Sequence, residues 1–176
     1  MGAKTKSNID IFLRCRPVAA NSSHFVADAP NGLARFQIPK DKSQGYVNNQ
    51  REQYEFKFSG IIEENAKQDE VFERVARKTV QHALEGMNGT IFAYGQTGSG
   101  KTYTITGGSE RYVDRGMIPR AISAIFSDLG KRSGEQFQVH VSYLEIYNNM
   151  GYDLLDPDRE IKMLEDLPRV SLLEDS

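Results

Sequence analysis

Cysteine is nearly absent from this chain: its 176 residues carry one, Cys15. No disulfide can close within the chain, and such usage suits a reducing compartment. Cys15 falls in an apolar, strand-like run and reads as a small buried residue rather than a reactive thiol. No apolar stretch approaches the length of a membrane span, and Met1-Gly2-Ala3-Lys4-Thr5-Lys6 lacks the apolar core of a signal peptide. Lys6 stands where a myristoylation signal needs Ser or Thr. Without a secretion signal, the sequons at Asn21 and Asn88 carry no meaning. An excess of basic charge is also missing, with 22 Lys and Arg against 24 Asp and Glu and a net charge of −2. A nucleic-acid partner would call for a basic face, so none is expected. His24, His82 and His140 lie far apart with no Cys or carboxylate at ligand spacing, which argues against a structural metal. There is no Gly-x-Ser-x-Gly nucleophile motif and no internal repeat. These absences predict a cytoplasmic protein. An apolar content of 39% with 26% charged residues, at this length, predicts one globular domain.

What the chain does have is concentrated in residues 90–102. Gly95, Gln96, Thr97, Gly98, Ser99, Gly100, Lys101 and Thr102 complete the pattern G-x-x-x-x-G-K-[ST], a phosphate-binding P-loop. The glycines let the backbone turn sharply and aim successive N–H groups at an anion. Lys101 brings a compact positive charge to the β- and γ-phosphates, and the Thr102 hydroxyl can ligate Mg²⁺. Thr90–Tyr94 is an apolar, β-prone run that predicts a buried strand before the loop. A helix starting near Lys101 would point its positive end at the phosphates.

Other elements follow from spacing. Ile9–Arg14 reads as a strand closed by Pro17, and residues 18–32 as loop. Leu33–Ile38 and Gln53–Phe58 alternate as two antiparallel strands joined by a polar connection, with Phe56, Phe58, Ile61 and Ile62 as core anchors. Asn65-Ala66-Lys67-Gln68 has the form of a capping box opening a helix. Val71, Val75, Ala83 and Leu84 form its apolar stripe, and Gly86 its left-handed stop. Residues 107–111 are a polar loop. Pro119 sits in the first turn of another helix carrying Ile118, Ile122, Ile125, Phe126 and Leu129, ended by Gly130. Gln136–Tyr147 predicts a long strand, and Tyr152–Asp156 a short helix stopped by Pro157. Residues 1–7 are polar and expected to fray, and residues 159–176 are charged with scattered leucines. The pair Arg14 and Arg16 beside Pro17 can stack on a purine base; taken alone, a solvated strand exit explains them as well.

Four runs together resemble the kinesin motor domain: Arg14-Cys15-Arg16-Pro17, Asn88 through Thr102, Gly116-Met117-Ile118-Pro119-Arg120, and Val141 through Asn148. They occur in that family's order and spacing across nearly the whole chain. Gly151 through Asp156 and Leu164 through Pro168 resemble the ninth, cilium-associated kinesin class, while Asn149 stands where the family often has an acid. The resemblance implies that Arg14, Arg16 and Pro17 lie against adenine, with Tyr103 flanking it. Gly95–Thr102 would then hold the phosphates, and Thr102 the Mg²⁺ of Mg-ATP. It implies an α/β fold: a P-loop NTPase sheet with helices on both faces, of which this chain is the N-terminal half.

Residues 1–176 are thus read as a partial motor domain that ends before switch I and switch II. Neither an Asn-x-x-Ser-Ser-Arg-Ser-His nor an Asp-Leu-Ala-Gly-Ser-Glu run is present. A P-loop without them lacks most of the groups that stabilise phosphoryl transfer, so no catalytic residue is assigned. In kinesins the neighbours of the P-loop strand come from the second half, so here its edges are expected to stand unpaired. The complete protein would hydrolyse ATP to move along microtubules, in the cytoplasm and cytoskeleton, with cilium or flagellum implied by the finer likeness. Two other readings are a non-motor nucleotide-binding or interaction module without turnover, and a small P-loop kinase. The kinase would need an apolar strand ending in a Mg²⁺-positioning Asp, and no strand here ends so.

Overall fold

A computed structural model describes residues 9–19, 23–38, 51–148 and 150–156, together with the backbone of 160–161. The chain divides into two compact units, Met1–Arg132 and Ser133–Ser176. The expectations for residues 1–7, for most of the connection after Ile38, for Asn149 and Pro157, and for the side chains from Arg159 onward lie outside the described residues.

In the first unit, β1 (Phe12–Arg14) pairs in parallel with β5 (Gly60–Ile62). The Cys15 N–H continues this pairing by donating to the Ile62 carbonyl at 2.8 Å. Ile9 and Ile11, expected in the strand, are exposed. Between the two strands the chain builds an antiparallel sheet of β2 (Phe25–Asp28), β3 (Leu33–Gln37) and β4 (Gln53–Lys57). The β3–β4 pair is the predicted one, but β2 corrects the loop expected over 18–32. Phe25 stacks on Phe36 at 4.9 Å, and Phe36 meets Phe56 edge-on at 5.9 Å. This aromatic ladder rewards a third strand. Asp28 Oδ1 accepts the Asn31 N–H at 3.2 Å and turns the chain into β3. On the opposite face Arg35 bonds Glu55 across the register.

The core gathers Ile62, Val71, Phe72, Ala76, Val80 and Met117. It is built by β5, α1 (Gln68–Val75), α2 (Arg77–Leu84) and α4 (Met117–Leu129). The predicted single helix is thus two, interrupted at Ala76. Val71 is buried and Leu84 half-buried, while Ala83 is exposed. Beyond α2 the Gly86 N–H donates to Ala83 and the Met87 N–H to His82, with Gly86 at φ +89°. This is the Schellman arrangement the glycine predicted. A left-handed L-residue costs about 1–2 kcal/mol. Gly86→Ala should therefore lower the melting temperature by a few degrees without altering any ligand response; a melt unchanged by the substitution would contradict this account.

α4 keeps its predicted length and part of its predicted face, with Ile125 and Leu129 half-buried. Ala121, Ala124 and Ile125 turn toward the core, whereas Ile118, Ile122 and Phe126 are exposed. The helix is apolar on more than one side, and spacing alone could not choose between them.

Two other expectations fail for a shared reason. Residues 90–94 form no strand, although Ile91 and Ala93 are half-buried and Phe92 and Tyr94 exposed, the alternation a strand would show. A strand needs a neighbour for its N–H and C=O groups, and among the described residues none lies beside this one. Likewise only Leu144–Tyr147 (β6) of the long strand expected over 136–147 is realised. In the second unit β6 pairs with β7 (Met150–Asp153), which pairs with β8 (Glu160–Ile161), all antiparallel. β7 replaces the short helix expected at Tyr152–Asp156, because cross-strand pairing to β6 outweighs the local helical pattern. The α/β class stands; the sheet is in three pieces.

Candidate nucleotide-binding site

The P-loop leads into α3 (Lys101–Ile105), which starts where the sequence placed it. Gly100 caps it at φ +102°, a conformation that strains any other residue. At Gly95 the reason for glycine is space: an added Cβ would lie 2.6 Å from Ser99 Oγ. The Ser99 N–H turns inward to the Gln96 carbonyl at 3.2 Å. Among the described residues, no backbone carbonyl takes up the Gly98, Gly100, Lys101 or Thr102 N–H. Four neighbouring donors left open are what a phosphate group requires.

Lys101 Nζ folds over the loop and donates to the Gly95 and Gln96 carbonyls, each at 2.8 Å. Its ammonium is therefore held at the mouth of the loop. Gln96, Thr97 and Thr102 are exposed, the last leaving its hydroxyl at the start of α3. An oxygen donor there fits a hard cation such as Mg²⁺.

The four residues expected on the adenine side are treated unequally. Arg16 donates to the Gly98 carbonyl, which joins the end of β1 to the P-loop. Pro17 is exposed beyond it. Arg14 turns inward, donating to Gln68 Oε1 at 3.0 Å and Thr104 Oγ1 at 2.8 Å. Its guanidinium carbon stands 5.5 Å from the centre of the Tyr103 ring. Burial lowers the Arg14 guanidinium from its ordinary value, and Tyr103 opposes that shift. Even lowered, an arginine keeps its charge at neutral pH. The Cys15 thiol beside it is half-buried and pushed up by burial, then by Glu64 and Glu63, which leaves it protonated.

Sequence reasoning missed Gln68, Thr104 and Asp114. The expected capping box does not form: Lys67 is the N-cap of α1, and no side chain bonds there. Gln68 is instead 3% exposed and donates to the Tyr103 carbonyl at 2.6 Å and the Asp114 carbonyl at 3.1 Å. Asp114 belongs to a short 3-10 turn, Tyr112–Asp114, inside a loop closed by pairing of Gly107 with Arg115. Its carboxylate accepts from Arg111 Nε at 2.6 Å and from the Tyr103 hydroxyl at 3.4 Å. Gln68 stands three and four residues before Val71 and Phe72, on the buried face of α1, but a glutamine is ordinarily exposed and its type gave no signal of burial.

The model of the kinesin motor domain matches residues 14–175, which takes in Arg14, the P-loop and the described part of the second unit. The chain belongs to the kinesin motor domain family. It is 45% identical over 150 residues to Kinesin-like protein KLP1 of Chlamydomonas reinhardtii, covering 85% of this chain and 19% of that one. Against Kinesin-like protein KIF9 of Mus musculus it is 43% identical over 152 residues, 86% of this chain and 19% of the relative. Kinesin-like protein KIN-14N of Oryza sativa subsp. japonica matches at 38% over 157 residues, 88% and 20% of the two chains. The chain thus spans about a fifth of the length of these relatives. Among the described residues, no helix is long and apolar enough to cross a membrane.

Proposed function

We propose that this chain carries the ATP-binding part of a kinesin motor. In the complete protein, hydrolysis of ATP would drive movement along microtubules, in the cytoplasm and cytoskeleton and at cilia or flagella. The observation that supports this most is the set of open N–H donors at Gly98, Gly100, Lys101 and Thr102, with Lys101 Nζ bonded to the Gly95 and Gln96 carbonyls of the same loop, in a chain of this family.

The residues divide the work by chemistry. The loop of Gly95–Thr102 binds the triphosphate through the open amides of Gly98, Gly100, Lys101 and Thr102, and Lys101 neutralises its β- and γ-oxygens. Thr102 supplies the protein oxygen for Mg²⁺, which withdraws charge from the phosphates when bound. Arg16 braces the loop from β1, and Arg14 with Tyr103 forms a cationic, aromatic flank for the base, with Pro17 at its outer edge. Residues 1–176 are then a partial motor domain. The tubulin contacts and the groups that place the attacking water are assigned to the remainder of the complete protein.

Melting the 176-residue chain with and without Mg-ATP tests this reading. Binding to the folded state alone, at a ligand concentration 100 times the dissociation constant, adds about 2.7 kcal/mol. The melting temperature should rise by roughly 5–10 °C. A melt indifferent to millimolar Mg-ATP would count against nucleotide binding by these residues.

A further inference from the structure

Among the described residues one polar side chain is buried, and it is Gln68. Every polar atom of its amide is used. Oε1 accepts from Arg14 at 3.0 Å, and Nε2 donates to the carbonyls of Tyr103 and Asp114 at 2.6 and 3.1 Å. Three separate elements therefore meet on one amide: the end of β1, the first turn of α3, and the 3-10 turn that follows. The network also reaches the P-loop. Thr104 Oγ1, which accepts from Arg14, donates in turn to the Gly100 carbonyl at 2.9 Å.

We propose that Gln68 is the positioning residue of the nucleotide site, fixing Arg14 and the Tyr103 backbone so that a purine base meets a preformed flank. This rests on the reading of the site as one for Mg-ATP. An apolar side chain of the same length would fill the space with no polar group to desolvate, so packing alone does not call for glutamine here. An amide offers one acceptor and two donors in a fixed plane, and this junction presents one guanidinium and two carbonyls. Arg14 would otherwise be a long side chain free to sample many rotamers, each of which a base would have to order on binding. Gln68 touches neither phosphate nor base in this scheme; it acts through Arg14 and α3.

The test compares two ligands that share phosphates and differ in the base: Mg-ATP and magnesium tripolyphosphate, titrated against the full chain. Gln68→Met keeps the length and removes all three bonds. It should weaken Mg-ATP roughly tenfold and tripolyphosphate less than about twofold, so that the preference for the nucleotide falls. Gln68→Glu retains the acceptor for Arg14 and loses both donors, and should fall between wild type and Gln68→Met. Thr104→Val removes the second Arg14 partner while preserving shape. It should lower the preference by about threefold, and it serves if Gln68→Met does not fold. A general loss of stability would weaken both ligands alike. If wild type binds Mg-ATP and the preference survives both Gln68→Met and Thr104→Val, Gln68 does not position the site. If wild type binds neither ligand, the nucleotide reading itself is overturned, and this one with it.

Discussion

Replacing Lys101 by alanine should weaken Mg-ATP binding by a hundredfold or more. The ammonium stands 2.8 Å from both the Gly95 and Gln96 carbonyls, so it is held against the loop whose amides would take the phosphates. On binding it would exchange two neutral acceptors for anionic ones. Hydrogen bonds between charged partners contribute about 1.5–3 kcal/mol each, and two of them, less the two carbonyl bonds given up, leave roughly 3 kcal/mol. Each 1.4 kcal/mol is about tenfold in affinity. Lys101→Arg should recover little, because a planar fork cannot fold into a loop shaped around a point charge. Without nucleotide the alanine variant should melt within a few degrees of wild type, since Lys101 contributes to no part of the core. Isothermal titration of both variants reads the first effect, and a thermal melt the second. Retained affinity in Lys101→Ala would remove phosphate binding from this loop.

What could be read in the sequence was what depends on neighbours along the chain. Gly100 and Lys101 form a local motif, Gly86 closes its own helix, and Leu33–Gln37 with Gln53–Lys57 announce themselves by alternation. Each of these came out as expected. The failures lie where a distant partner decides. Residues 90–94 carry a strand's pattern without a strand's neighbour, and 136–143 do the same. Tyr152 looked helical until β6 paired with it. Gln68 shows the limit most sharply. Its local context favoured a capping role, and its burial was set by Arg14, 54 residues earlier, and Asp114, 46 residues later. The candidate site was legible on its phosphate side from the residues themselves, and on its base side only through the family resemblance that named Arg14, Arg16, Pro17 and Tyr103. The P-loop is one contiguous stretch, whereas the base flank joins three segments that only the fold brings together.

Phe72 and Phe92 make the largest structural contrast: Phe92 lies in the run 90–94 expected to be a buried strand, and Phe72 follows Val71 of the stripe expected on the helix. Phe72 is 3% exposed within the core and has the Arg77 guanidinium 4.8 Å above its ring. Phe92 is 75% exposed. Phe72→Ala should cost about 3–5 kcal/mol through lost burial and an unfilled cavity. In a chain of this size that corresponds to a fall in melting temperature of roughly 6–20 °C. It is also a large share of the roughly 5–15 kcal/mol that holds a typical domain folded, so the variant should be partly unfolded at physiological temperature. Phe92→Ser should stay within about 0.5 kcal/mol of wild type, as surface changes do. Paired melts of the two variants in the same buffer decide the matter. Equal losses would mean that residues 90–94 are packed as a strand in this chain after all. A large loss for Phe72 alone would place the energetic centre of the first unit between β5, α1, α2 and α4, one step removed from the loop that it supports.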